Sequence, residues 1–139
     1  MDQKLNIITL GVEDVARARA FYEQLGWQVR FTDGDIVMFQ AGPMIVSLWS
    51  RAKLAHDSGV DAPPAGWGGF SLGYAVGSSD EVDAIFREAG KAGATVTRAP
   101  GEMFFGYSGV FADLDGHTWE IAWVKALTLH EDGTVELPA

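Results

Sequence analysis

The sequence predicts an α+β fold built from two tandem copies of one βαβββ module. Residues 5–12 resemble residues 69–76, and each of these predicted strands is followed by a segment with helical periodicity. After each helix the pattern changes to the two-residue alternation of half-buried strands, interrupted by glycine turns. Because the same order of elements occurs twice, we expect two similar halves, each with one helix and four strands.

The first module is expected to span about residues 5–50. Apolar residues at intervals of three and four predict its helix, with Asp14 as the N-cap and Gly26 as the left-handed residue after its end. Asp33-Gly34 and Gly42-Pro43 are turn signals between the three strands that follow.

The second module is expected to span about residues 69–124. Ser78 and Glu81 form a capping-box pattern at the start of its helix, and Gly93 follows its end. Three strands are predicted at residues 95–98, 109–113 and 117–124. The Ala99-Pro100-Gly101 stretch is expected to end the first of them, and a longer loop is expected around residues 102–108.

The remaining segments are expected to connect the two modules or to cover a sheet edge. Residues 51–68 are rich in Ala, Pro, Gly and Asp and show no sustained period, which predicts a connecting loop. Residues 125–139 suggest a terminal hairpin or arm that could cover a sheet edge or contact a partner chain. We therefore expect residues 1–139 to form a single domain.

Composition and charge exclude several classes of function. The chain of 139 residues has 10 Lys and Arg against 19 Asp and Glu, a net charge of −9, which disfavours nucleic acid and anionic membranes as partners. There is no cysteine, so disulfides, thiolate zinc sites and iron–sulfur clusters are excluded. The sequence shows no signal peptide and no long apolar segment, and we expect a soluble cytoplasmic protein.

Two motifs carry a resemblance to a known family. Residues 21–26 (FYEQLG) end the first helix, and residues 113–121 (DLDGHTWEI) lie near the end of the second module. With the two βαβββ modules they resemble the vicinal-oxygen-chelate superfamily of glyoxalases, bleomycin-resistance proteins and extradiol dioxygenases. The resemblance implies an incompletely closed barrel with helices outside, an internal cavity and a homodimer. Leu114 departs from the family pattern, which usually has proline there.

The resemblance also implies where a metal would bind. Metal-dependent members place His or Gln on the first strand of each module and a carboxylate on the last strand. The matching positions here are Ile7, Ser71, Val46 and Glu120, of which only Glu120 is a metal ligand of the expected kind. We therefore expect no metal and no cofactor.

Glu120 is the candidate catalytic residue. The resemblance implies that it points into the barrel, where desolvation would favour its protonated form and suit it to proton transfer. The alternative is a carboxylate that hydrogen-bonds a neighbouring Ser, Thr or Tyr. His117 is a second catalytic candidate, although its family counterpart usually supports the turn and strand geometry. His56 and His130 are expected to be exposed to solvent.

Aromatic and polar residues near the expected cavity are candidate ligand contacts. The loop that contains residues 104–107 could gate this cavity. The candidate ligand-binding residues are Trp49, Ser71, Tyr74, Phe105, Tyr107 and Glu120.

Three functions are compatible with these features. The first is metal-free binding or sequestration of a small organic compound, for example an aromatic or cationic one, as in bleomycin-resistance proteins. The second is a lyase, isomerase or dioxygenase that uses Glu120 as acid–base or metal ligand, with Tyr74, Tyr107 or His117 assisting. The third is a structural or regulatory pairing module whose cavity is filled by its own aromatic side chains.

Overall fold

The computed structural model describes residues 1, 3, 5–60, 67, 68 and 70–139. These residues form two compact units, Met1–Gly66 and Trp67–Ala139. Each unit has its own sheet and its own core.

The first unit contains one sheet with the strand order β1-β4-β3-β2. Strand β1 is parallel to β4, and the other neighbours are antiparallel. Its elements are β1 (Ile7–Val12), α1 (Val15–Gln24), β2 (Val29–Asp33), β3 (Ile36–Ala41), β4 (Met44–Ser50) and α2 (Arg51–Asp57).

The second unit repeats this arrangement, with the strand order β5-β8-β7-β6 and β5 parallel to β8. A separate two-stranded hairpin, β9 with β10, follows the sheet. The elements are β5 (Leu72–Ala75), α3 (Ser79–Lys91), β6 (Thr95–Met103), β7 (Gly106–Ala112), β8 (Thr118–Val124), β9 (Thr128–Leu129) and β10 (Val135–Glu136).

The α+β class and the two tandem βαβββ modules are confirmed. Asp14 caps α1 by accepting a hydrogen bond from the backbone N–H of Arg17, and Ser78 caps α3 by accepting one from Glu81. Gly26 and Gly93 adopt positive φ angles of 94° and 98° after the two helices, as expected. None of the described helices is long and apolar enough to span a membrane.

Two sequence expectations are wrong. Residues 51–57 form helix α2 rather than part of an irregular loop; residues 61–66 and 69 lie outside the described residues. Residues 99–101 do not break β6. The strand continues through them, and its pairing with β7 shifts in register on both sides of Arg98. As a result the expected loop at residues 102–108 is a tight hairpin with Phe104 and Phe105 at its tip.

The core of the first unit is an aromatic cluster between α1 and the sheet. Phe21 and Tyr22 of α1 are fully buried, as is Phe39 of β3. The ring of Tyr22 lies 5.9 Å from that of Phe39 and 5.3 Å from that of Trp27. These contacts anchor α1 to the sheet of its own module.

The core of the second unit depends on a close approach between α3 and β7. Phe86 of α3 packs edge-on against Phe111 of β7, with ring centroids 5.5 Å apart. A Cβ atom at Gly109 would lie 2.6 Å from Cζ of Phe86 and 2.9 Å from the backbone nitrogen of Pro100. Glycine is therefore required at residue 109 so that the helix can rest directly on the strand.

We expect the substitution Gly109→Ala to destabilise the protein by about 1–3 kcal/mol, because the added methyl group overpacks this contact. Chemical denaturation measures the change in the free energy of unfolding. Gly90→Ala is the matched control, since Gly90 lies in α3 where the added Cβ meets none of the described atoms. The control is expected to be neutral or to stabilise by about 0.5–1 kcal/mol. Equal effects of the two substitutions would contradict this packing.

Candidate functional site

Strand alternation gives the second sheet two chemically different faces. On β7, Gly109 and Phe111 face helix α3. Their partners on β8 are Ile121 and Trp119, so Glu120 points to the opposite face. We call this opposite face, which carries Arg98, Ser108 and Glu120, the polar face.

Arg98, Ser108 and Glu120 form a connected cluster on three adjacent strands. Arg98 Nη2 lies 3.2 Å from Glu120 Oε1, and Ser108 Oγ donates a hydrogen bond of 3.0 Å to the same oxygen. Arg98 also donates to Oγ of Ser108 at 2.8 Å and to its carbonyl oxygen at 3.0 Å. These bonds fix the carboxylate in one orientation and neutralise its charge locally.

The expectation that Glu120 is desolvated is wrong. Its side chain is 38% exposed, and that of Arg98 is 37% exposed. The structure agrees with the alternative reading insofar as Ser108, which is fully buried, hydrogen-bonds the carboxylate. Arg98 adds a permanent positive charge 3.2 Å from the carboxylate oxygen.

The residues around Glu120 do not fit a divalent metal ion. Within the described residues there is no group of three or more His, Cys, Asp or Glu side chains that could hold one. In addition, a cation bound to Oε1 of Glu120 would face the Arg98 guanidinium, which already lies 3.2 Å from that oxygen. Repulsion between the two positive charges would oppose metal binding unless Arg98 turned away.

The other family ligand positions supply no metal ligand in this chain. Ile7 lies on β1 and is about half exposed, and Val46 lies buried on β4. Ser71 precedes β5, and its hydroxyl donates a hydrogen bond of 3.4 Å to the carbonyl oxygen of Thr118. Ile and Val offer no donor atom to a metal.

Trp49 lies in the first unit. Its indole N–H donates a hydrogen bond of 3.2 Å to Asp35, which also pairs with Lys53 at 2.9 Å. The hydrogen bond from Lys53 lowers the pKa of the Asp35 carboxyl, and the bond from Trp49 contributes in the same direction. The indole N–H of Trp49 is therefore occupied by Asp35.

Tyr74 and Tyr107 lie on the side of the second sheet that faces α3. Tyr107 donates a hydrogen bond of 2.9 Å to Asp83 of α3, and Tyr74 pairs in register with Ile121. The suggestion that either tyrosine assists Glu120 is therefore wrong, because Glu120 points to the other face. Phe105, at the β6–β7 hairpin tip, packs edge-on against Phe104 at 5.2 Å.

His117 lies in the turn before β8, where it pairs with Asp113. Its Nδ1 lies 2.9 Å from Oδ2 of Asp113, whose side chain is only 2% exposed. Oδ1 of Asp113 accepts the backbone N–H groups of Asp115 and His117, which closes the turn before β8. His117 thus supports the turn, and His56 and His130 are exposed, as expected.

The comparison with protein families agrees with this architecture. The family model of the glyoxalase/bleomycin resistance protein/dioxygenase superfamily matches residues 4–121. The chain belongs to this superfamily. The match covers nearly all of both βαβββ modules, so the resemblance found in the two motifs is confirmed.

Solved structures of superfamily members are similar over most of the chain. A glyoxalase-related enzyme from Fulvimarina pelagi is 30% identical and has a TM-score of 0.91. The alignment covers 99% of the present chain and 99% of that enzyme, and coverages are given in this order below. A family member from Burkholderia phytofirmans is 22% identical, with 86% and 97% coverage and a TM-score of 0.75. Lactoylglutathione lyase from Agrobacterium tumefaciens is 20% identical, with 86% and 92% coverage and a TM-score of 0.65. No curated protein sequence matches.

In this superfamily member, the site residues that sequence reasoning missed are Arg98 and Ser108. Arg98 follows a register shift in β6, so its cross-strand neighbour cannot be read from simple alternation. Ser108 lies within the segment that was expected to be a loop. Residues 106–112 (GYSGVFA) do not alternate polar with apolar side chains, so no clear local signal placed Ser108 on a strand.

Tyr107 and Asp83 permit a test of which residues face α3. The hydrogen bond to Asp83, together with its negative charge, raises the pKa of the Tyr107 hydroxyl. The phenol is therefore held in its neutral form to higher pH. We expect Asp83→Asn to lower the pKa of Tyr107, measured by phenolate absorbance during an alkaline titration, with Tyr107→Phe identifying the signal. An unchanged titration in Asp83→Asn would contradict the contact.

Proposed function

We propose that this superfamily member binds a small organic molecule on the polar face of its second sheet, with Glu120 accepting a hydrogen bond from the ligand and no metal involved. The proposal rests on the fixed cluster of Arg98, Ser108 and Glu120. In the described part of the chain, both hydrogen bonds to the Glu120 carboxylate use Oε1. Oε2 is left to accept a hydroxyl, amide or amine hydrogen from a ligand.

The charges of the cluster favour such a ligand group. Arg98 neutralises Glu120, so the pair as a whole attracts neither anions nor cations strongly. Arg98 also uses both of its terminal nitrogens on Ser108, Glu120 and Met103. The carboxylate oxygen therefore offers a directed hydrogen bond, which gives specificity for a donor group.

Space next to Glu120 supports the same proposal. Gly73 of β5 pairs in register with Glu120, and Gly101 of β6 pairs with Ser108. At both glycines an added Cβ would meet no described atom within 4 Å. The two positions leave room beside the cluster for a ligand.

A second candidate function is enzymatic. The similar protein from Fulvimarina pelagi is described as a glyoxalase-related enzyme, and it covers 99% of this chain. In an enzyme, ionised Glu120 would take a proton from the substrate, and Arg98 would be a positioning residue that holds the carboxylate. The binding function is preferred because Tyr74 and Tyr107, the side chains expected to assist a reaction, lie on the other face of the sheet.

We expect Glu120→Gln to weaken binding of compounds that bind at this site by about tenfold, because an amide oxygen is a weaker acceptor than a carboxylate. The compounds are hits from a fragment set of small alcohols, amides and amines, and affinities are measured by NMR titration. Glu88→Gln is the matched control, since Glu88 is also ion-paired, to Lys91, but lies on α3. Equal affinities for the parent protein and the Glu120 variant would overturn the proposal.

Gly73→Leu tests the location of the ligand independently of charge. The residue has open space and no unusual φ angle, so the variant is expected to fold with nearly unchanged thermal stability. Its side chain would occupy the space beside Glu120 and reduce binding of the same fragments at least about tenfold. Retained binding in a folded variant would place the ligand elsewhere. Turnover that is lost in Glu120→Gln while affinity persists would favour the enzymatic alternative.

A further inference from the structure

The second unit has a groove that is separate from the polar face. It has a volume of about 420 Å³ and lies between the end of β5, the first half of α3 and the turn of the β9–β10 hairpin. This volume is within the range of small-molecule sites. Its lining includes Tyr74, Glu81, Ile85, Leu129, His130 and Glu131.

The groove lies on the opposite side of the sheet from Glu120. Tyr74 lines it, whereas the preceding residue, Gly73, pairs with Glu120 on the polar face. Successive residues of a strand point to opposite faces. A ligand in the groove would therefore not touch the Glu120 cluster.

An aromatic ring is available in the groove. Tyr74 is 45% exposed, and within the described part of the chain its ring packs against no other aromatic ring and its hydroxyl makes no hydrogen bond. Ile85 and Leu129 supply apolar surface beside it. An exposed tyrosine ring next to aliphatic side chains can hold an apolar body and attract a cation to its face.

The charges of the groove favour a cation. Glu81 and Glu131 supply two carboxylates, and Glu81 is held in place by accepting the backbone N–H of Gly77. The only basic side chain among the lining residues is His130, which already lies 3.3 Å from the Glu136 carboxylate. The groove is therefore acidic, within a chain of net charge −9.

We propose that this groove binds a small organic cation with an apolar body, such as an aryl or alkyl ammonium. Tyr74 contacts the cationic group through its ring face, and Glu131 and Glu81 supply the opposite charge. Ile85 and Leu129 contact the apolar part. The site is additional to the one on the polar face, and its occupancy does not depend on Glu120.

The probe for this proposal is meta-hydroxyphenyltrimethylammonium, with meta-tert-butylphenol as its uncharged analogue of nearly the same shape. Both are titrated into isotopically labelled protein and followed by amide chemical shifts. The cation is expected to shift amides of residues 74–76, 81–85 and 129–133, and to bind at least about threefold more tightly than the neutral compound. Equal affinities, or shifts confined to other residues, would overturn the proposal.

Variants test the named contacts. Tyr74→Leu and Glu131→Gln are each expected to weaken binding of the cation about two- to fivefold, because each removes one exposed cationic contact. Glu131 is exposed, so its variant is expected to fold even if Tyr74→Leu does not. Glu120→Gln and Gly73→Leu are the controls, and neither should change the affinity. Loss of cation binding in these controls would assign the cation to the polar face and overturn the proposal.

Discussion

The contact between Phe86 and Gly109 determines which face of the second sheet is covered by helix α3. Because no side chain separates α3 from β7 at this point, the helix covers one face of the sheet directly. Strand alternation then assigns every residue of β7 and β8 to one face or the other. Trp119 and Ile121 lie on the helix side, and Glu120 is directed to the opposite face.

The carboxylate on that face is paired within the sheet although water also reaches it. Arg98 and Ser108 are its partners, and all three residues come from neighbouring strands of one sheet. The register shifts in β6 allow Arg98 to reach both Ser108 and Glu120. The cluster therefore depends on an irregularity of the strand as well as on the choice of side chains. Its effect is to present one carboxylate oxygen in a fixed direction beside two glycines.

The sequence predicted the modules well because their signals are local. Helix periodicity, the caps at Asp14 and Ser78, and the glycines after each helix identify the elements without knowledge of strand pairing. The family resemblance identified Glu120. The partners of Glu120 were not predictable, since a one-residue shift in β6 changes which side chains meet across the sheet. The helix at residues 51–57 was missed because seven residues are too few to show a clear period.

The face assignments also correct the roles expected of two tyrosines. Tyr107 is engaged by Asp83, and Tyr74 lines a groove beside α3, so neither can serve a reaction at Glu120. The sequence predicts that both line one cavity with Glu120, because aromatic residues of the strands and of the long loop are expected to surround it. Alternation within each strand places both tyrosines on the helix side of the sheet and Glu120 on the opposite side. The polar face carries a fixed carboxylate oxygen, and the groove carries an exposed ring with acidic neighbours.

We propose that Arg98, rather than a metal ion, neutralises the charge of Glu120. Anomalous diffraction from crystals grown with manganese, nickel or zinc ions tests it most directly. We expect Arg98 within hydrogen-bonding distance of Glu120 and no anomalous peak beside the carboxylate. A metal ion bonded to Glu120, with Arg98 turned away, would contradict the account.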